Sequence, residues 1–303
     1  MKLTNLIPQD YPKYKAFFNE QRYELCVYSL ASILSWRNQV YQPFGMVLDD
    51  TLIVGVNYTD RDKPHHLLLP ISPNREYAPM ELHRLALKLG YDRIQFVPGD
   101  YIVRYDAQGI DDLFDMRPQA EYNDYVYRTK DLAGLKGNKF SKKRNLIHQF
   151  ISDYIEPGRV QVEKISGAVT SECLAFLEDW CLARDCDQNP EEDLACEKQA
   201  AVNALENFEI MEMHGLLIRI DGQVSAFGIA APVTAEMGAL HFEKAYGDIK
   251  GLYQYLDQQC AKHLFGNRRF INKESDMGLP GIAQAKKSYH PARMINAHQL
   301  IVR

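Results

Sequence analysis

The residues of this 303-residue chain whose types and spacing suit chemistry crowd into two short stretches of its second half. The first, HFEKA at residues 241–245, sets His241, Glu243 and Lys244 inside an otherwise apolar segment, where a charge is costly unless it has a partner. On a strand, His241 and Glu243 face one side, while Lys244 faces the other with Phe242. The second, FINKESDMGLPGIAQAKKSYHP at residues 270–291, opens with a short apolar strand. Asn272, Lys273, Glu274 and Asp276 follow it, and Gly278, Pro280 and Gly281 then turn the chain into a helix bearing Lys286 and Lys287. The C-terminal ends of strands are where α/β folds assemble their sites. Asn272, Glu274 and Asp276 have the oxygens to receive an ammonium, such as an α-amino group. Lys286 or Tyr289 has the proton to stabilise charge developing on a carbonyl. Glu243 or Glu274 suits the part of a base. Both stretches also admit a plainer reading: an ion pair within the sheet for the first, a turn-and-cap network around residues 278–281 for the second.

A third feature is electrostatic. From Arg128 to Arg144 there are seven basic residues against the single acid Asp131, a net +6 that leaves −11 on the rest of a chain whose total is −5. Arg128, Lys136, Lys139, Lys142, Lys143 and Arg144 are therefore candidates to hold a nucleic-acid backbone on one face, or else form a solvated linker face. Gly134 and Gly137 beside Lys136 and Ser141 do not have the GxxxxGK[ST] spacing of a nucleotide-triphosphate loop. Residues 246–251, YGDIKG, follow a strand where a helix N-terminus would suit a pyrophosphate. Asp248 would cap those amides itself, which makes a coenzyme A thioester the second choice behind a reaction without a cofactor.

The elements that must position these residues repeat. In the first half, residues 45–48, 51–57 and 66–71 read as strands, a helix with Leu82, Leu85, Ala86 and Leu89 on one face follows, and residues 93–97 form a further strand. In the second, residues 215–220, 223–230 and 239–245, a helix with Leu252, Leu256 and Leu264, and residues 269–272 repeat that order. Asp221-Gly222 is a hairpin turn signal. Helical sequence at residues 29–37 precedes the first block, and at 171–184 and 192–207 the second. An amphipathic helix near residues 139–154, basic in its first turns, joins them, and Pro157-Gly158 breaks the chain. The expected division is a domain of residues 1–157, which includes the basic helix, and a domain of residues 158–303 with the candidate active site.

With these residues in view, the chain resembles the family related to the C-terminal region of phosphatidylglycerol lysyltransferase, itself similar to Fem-type peptidyltransferases and to GNAT-type N-acetyltransferases. The matching pieces are YVYRTKDLAGLKGNKFSKKRN at residues 125–145, the Asp221-Gly222 hairpin, HFEKA, NKESDMGLPG at 272–281 and KKSYHP at 286–291. The resemblance implies an α/β (α+β) fold of two tandem acyl-CoA N-acyltransferase-like domains, each a mixed sheet flanked by helices. It implies an aminoacyl donor on tRNA whose ester an acceptor attacks directly. The expected activity is thus aminoacyl transfer from charged tRNA to an amine or hydroxyl on a small molecule or peptide. Glu243, Glu274, Lys286 and Tyr289 would be catalytic, with His241, Lys244, Asn272 and Asp276 binding substrate. A coenzyme A-dependent N-acyltransferase and a non-catalytic binder of tRNA or of an acidic ligand are the alternatives.

Several classes find no support. The cysteines (Cys26, Cys173, Cys181, Cys186, Cys196, Cys260) form no CxxC pair and read as reduced structural thiols, and the histidines lack metal-ligand spacing. No GxSxG elbow marks a covalent nucleophile, which direct transfer does not need. No window approaches the ~20 apolar residues of a membrane span, and no apolar leader opens the chain, so the expectation is a cytoplasmic protein without an integral membrane segment.

Overall fold

The computed structural model describes residues 2–60, 63–182 and 193–303. Cys186, the side chain of Cys196, and the helix ends expected at Arg184 and Glu192 lie outside the described residues. Strands β1 (Thr4–Asn5), β2 (Tyr41–Leu48), β3 (Thr51–Tyr58), β4 (His66–Leu67), β5 (Arg93–Pro98) and β6 (Phe114–Pro118) come first. They are followed by β7 (Asp124–Arg128), β8 (Val160–Lys164), β9 (His214–Ile220), β10 (Gln223–Pro232), β11 (Met237–Ala245), β12 (Phe270–Asn272), β13 (Arg293–Ile295) and β14 (Ala297–Val302). One mixed sheet has the order β1-β2-β3-β4-β5-β14-β6, the other β13-β7-β12-β11-β10-β9-β8.

The repeat read from the sequence is present in both sheets. Each holds an antiparallel hairpin, a third antiparallel strand and a parallel fourth: β2-β3-β4-β5 in one and β9-β10-β11-β12 in the other. Helix Pro79–Leu89 precedes β5 as helix Leu252–His263 precedes β12. The second hairpin turns where it should. Asp221 and Gly222 both have positive φ, 52° and 82°, the conformation that matches strand twist and that glycine adopts without penalty. The third strand of the first block stops at Leu67 rather than running on to residue 71, because Pro70 has no N–H for a ladder. Beyond it Leu68 N–H donates to Val54 O at 3.0 Å, and an isolated bridge joins Leu52 to Ile71.

The sheets also trade strands. β7 precedes the Pro157-Gly158 break yet pairs with β12 and β13, while β14, near the end of the chain, inserts between β5 and β6 of the first sheet. A cut after residue 157 would therefore separate hydrogen-bonded neighbours. One core of buried side chains runs through both halves, from Leu6 and Tyr28 to Phe176, Phe227 and Ile295. The halves are joined by polar contacts as well. Asn203, on helix Asp193–Glu206, donates its amide to the carbonyls of Ser35 (2.8 Å) and Arg37 (2.5 Å) at the end of helix Leu30–Ser35. Among the described residues no helix is long and apolar enough to cross a membrane.

Candidate active site

The site is built around the end of β12. Its three residues pair parallel with the start of β11 (Ala239 with Asn272) and antiparallel with β7 (Asn272 with Val126), so the chain leaving Asn272 runs beside the later part of β11. Glu274 takes a left-handed φ of 59°, a conformation that costs a non-glycine residue about 1 kcal/mol or more and collects at functional positions. Two contacts hold it there: its N–H donates to Asn272 Oδ1 at 2.7 Å, and its carbonyl accepts from Tyr125 N–H at 3.1 Å. The bend brings Glu274 Oε1 to 2.7 Å from His241 Nδ1. A carboxylate there favours the tautomer with hydrogen on Nδ1, which leaves Nε2 as an acceptor. Nε2 is buried without a hydrogen-bond partner.

Lys273 forms the centre of the charge cluster. Its ammonium lies 2.6 Å from Glu243 Oε2 on β11 and 2.9 Å from Asp257 Oδ1 on helix Leu252–His263, with the three side chains 11%, 17% and 4% exposed. Burial works against the ammonium, but Asp257 and then Glu243 outweigh it and hold Lys273 well above the usual lysine range. Burial pushes the Glu243 carboxyl up to about 7; Lys273 opposes that rise and Asp257 adds to it. Glu243 Oε1 accepts no hydrogen bond. Tyr289 closes this side of the cluster, its hydroxyl raised by burial and by the charge of Asp257, with Lys143 Nζ 3.9 Å and Lys273 Nζ 5.3 Å from its ring centre.

Lys286 reaches in from helix Pro280–Lys287 and donates to the carbonyls of Lys273 and Ser275, both at 2.5 Å. Burial lowers its pKa, against the pull of Glu274. Two of its three N–H bonds are thereby used, and the third has no hydrogen-bond acceptor among the described residues. Asn272 is wholly buried and donates to Glu24 O (3.0 Å) and Asp124 Oδ2 (2.7 Å). Asp124 also accepts from Cys26 N–H at 2.6 Å, and burial raises its carboxyl to about 6. Asp276 accepts from the Tyr125 hydroxyl at 2.6 Å and from Gly278 N–H at 2.9 Å, a turn-fixing role.

Of the residues singled out in the sequence, His241, Glu243, Asn272, Glu274, Lys286 and Tyr289 therefore share one neighbourhood, with Asp276 at its edge. Lys244 does not join them. It sits on the opposite face of β11, 2.8 Å from Glu197 and 4.2 Å from the ring centre of Trp180, whose indole N–H donates to Ala245 O at 2.9 Å. The basic segment divides too. Lys136, Lys139 and Lys142 are exposed, but Lys143 turns inward to Ser288 Oγ (2.7 Å), and Arg144 donates to the carbonyls of Leu135 (2.5 Å) and Gly137 (2.6 Å). Arg128, at the other end of β7 from Asp124, lines a separate pocket. Sequence reasoning missed Asp257 and Asp124 altogether. Asp257 had a signal: it follows Leu256 on a helix whose apolar face also carries Leu252 and Cys260, where a carboxylate is out of place.

Two mixed sheets flanked by helices, each with the same strand order, give the chain a tandem acyltransferase-like fold, with charged residues gathered at the strand ends of the second. The profile of the family described as "Phosphatidylglycerol lysyltransferase, C-terminal" matches residues 56–297, and the chain belongs to that family. A crystal structure of a conserved protein of unknown function from Bacteroides thetaiotaomicron is 27% identical, with a TM-score of 0.88 over all of both chains. The C-terminal domain of a putative lysylphosphatidylglycerol synthetase from Agrobacterium fabrum is 12% identical with a TM-score of 0.69, covering 97% of this chain and 91% of that one. FemX is 8% identical with a TM-score of 0.60, covering 100% and 98%. An uncharacterized protein of Mycoplasmoides gallisepticum is 21% identical over 210 residues, which are 68% of this chain and 65% of that protein's length.

Proposed function

We propose that the protein is an aminoacyltransferase that moves an aminoacyl group from charged tRNA to an amine or hydroxyl acceptor. The observation that carries this reading is the Glu243 carboxyl. It is largely buried, raised to about 7, has one oxygen without a hydrogen bond, and lies in a cluster that also holds the Lys286 ammonium. A base is most effective when its pKa lies near the working pH. In the reaction, the acceptor's nitrogen or oxygen attacks the ester carbonyl carbon while Glu243 takes its proton. The remaining N–H of Lys286 stabilises the developing oxyanion. The ester C–O bond then breaks, and the terminal ribose oxygen of tRNA leaves as a hydroxyl, taking the proton that Glu243 received from the acceptor and restoring the carboxylate. Family membership supports transferase chemistry, and the exposed Lys136, Lys139 and Lys142 supply a surface for the tRNA backbone.

The His241–Glu274 pair favours a second assignment within the same reaction, with Nε2 as the base and Glu274 as its orienting group. Coenzyme A chemistry is less well served. Gly251, at the start of helix Leu252–His263, has φ 86° and packs so closely on Leu146 O that a Cβ there would collide, so the connecting helix lies against this helix N-terminus, which speaks against a pyrophosphate there.

Single-turnover transfer of radiolabelled aminoacyl groups from bulk tRNA tests the proposal, with phosphatidylglycerol vesicles and amine-bearing peptides as acceptors. Loss of the base should slow transfer by roughly 100- to 10,000-fold. Glu243→Gln is expected to do so if Glu243 is the base, His241→Gln if His241 is, and Lys286→Met should slow either route. Transfer by all three variants at the parent rate would refute the assignment of this cluster, and no transfer by the parent would remove the aminoacyl reading.

A further inference from the structure

The end of the second sheet away from the Glu243 cluster carries a different feature. Arg128 closes β7, Lys262 lies in the last turn of helix Leu252–His263, and Arg268 and Arg269 lead into β12, where Phe270 pairs with Arg128. With Lys130 they line an open pocket of about 630 Å³. None of its lining residues is acidic, and the other walls include the small residues Ala133, Ala261 and Gly266, so no large side chain fills the space. Compensation from nearby is slight. Glu236 stands 3.8 Å from Arg269 with both side chains about two-thirds exposed, and the carbonyl end of the helix supplies about half a negative charge. Five cations in one pocket of a chain whose net charge is −5 mark a local excess that the described residues leave largely uncompensated.

Two further observations indicate a prepared site. Arg268 is held from behind, its guanidinium donating to the carbonyls of Thr234, Ala235 and Met237. Thr129, also in the lining, is more than nine-tenths buried, and its hydroxyl has no hydrogen-bond partner. Such a group ordinarily finds one. We propose that this pocket binds a small molecule bearing a pyrophosphate or bisphosphate group, a role independent of the aminoacyl-transfer reading. The volume lies within the range of about 300–1,000 Å³ typical of small-molecule sites. The cations surround one cavity instead of forming the extended stripe that a nucleic-acid backbone follows. Five positive charges call for a ligand of three or four negative charges, which two phosphoryl groups supply, and arginine forks match their paired oxygens.

Isothermal titration calorimetry with inorganic pyrophosphate, in a buffer free of phosphate, tests this on the full chain. Saturable binding to one site is expected, weakened at least about tenfold in Arg128→Ala and again in Arg269→Ala, each of which removes charge-assisted bonds. Both side chains are exposed, so the melting temperature should stay at the parent value. Thr129→Val should weaken binding by a smaller factor. Absence of saturable binding to the parent, or equal affinity in the double arginine variant, would overturn the proposal. In a second arm, deacylated tRNA is titrated into parent and double variant. Loss of tRNA binding in the variant, with no competition by pyrophosphate in the parent, would assign the pocket to a nucleic-acid surface and also overturn it.

Discussion

Replacement of Lys273 by Met keeps most of the side-chain volume but removes the one cation that lies between Glu243 and Asp257, at 2.6 Å and 2.9 Å. The two carboxylates then face each other in a buried setting. Removing one partner from a buried, hydrogen-bonded ion pair costs about 3–5 kcal/mol, because the remaining charge stays desolvated without compensation. At about 2.1 cal/mol/K per residue, unfolding this chain carries an entropy of about 0.6 kcal/mol/K, so Lys273→Met should melt about 5–8 °C below the parent. The deficit should depend on pH, with a definite sign. Without Lys273, Glu243 loses the strongest of the influences that lower its pKa and keeps the weaker pull of Lys286, so its folded value rises further above the unfolded one. A carboxyl raised in this way contributes stability at low pH, lost as pH rises through the folded value. The variant should therefore lie close to the parent near pH 5 and furthest below it near pH 8. Lys273→Met/Glu243→Gln should regain part of the loss at pH 8, a coupling that a double-mutant cycle measures. Thermal melts followed by circular dichroism at both pH values decide the matter. A deficit below about 1.5 °C, or one equal at pH 5 and pH 8, would show that Lys273 is not the counter-charge on which these carboxylates depend.

Joint replacement of Lys136, Lys139 and Lys142 by Ala should reduce the salt slope of tRNA binding by roughly 2–3 in filter-binding titrations, and an unchanged slope would remove these residues from any nucleic-acid surface. His66 is fully buried, and burial first of all holds its pKa down at about 3, so the folded state resists the protonation that the unfolded chain accepts below about 6.5. Stability from this source is present above that value and lost as pH falls. His66→Phe should accordingly lose stability less steeply than the parent between pH 6 and pH 4, by up to about 1.4 kcal/mol per pH unit in urea unfolding. Parallel curves would contradict this.

The sequence by itself determined the repeated unit of strands and helix, the Asp221-Gly222 turn, and the division of His241 and Glu243 from Lys244 across β11. These are local properties. Side-chain alternation has a period of two residues and a hairpin turn depends on the φ preferences of two residues, so a few neighbouring positions suffice to specify them. Three-residue strands such as β12 and β13 are too short to show a period, and their pairing with β7 depends on a sheet supplied by the rest of the chain. Tertiary structure alone decided the partners of the charges. Lys273 meets Asp257 only because helix Leu252–His263 packs on the sheet, and Asn272 meets Asp124 because β7 crosses from the first half. It also divided the basic segment, turning Lys143 and Arg144 to internal acceptors, leaving Lys136, Lys139 and Lys142 in solvent, and adding Arg128 to a pocket with cations from two other segments. Charge composition is written along the chain, but whether a charge is solvated, paired or gathered into a site depends on distances across the fold, because electrostatic interaction follows separation in space and the local dielectric.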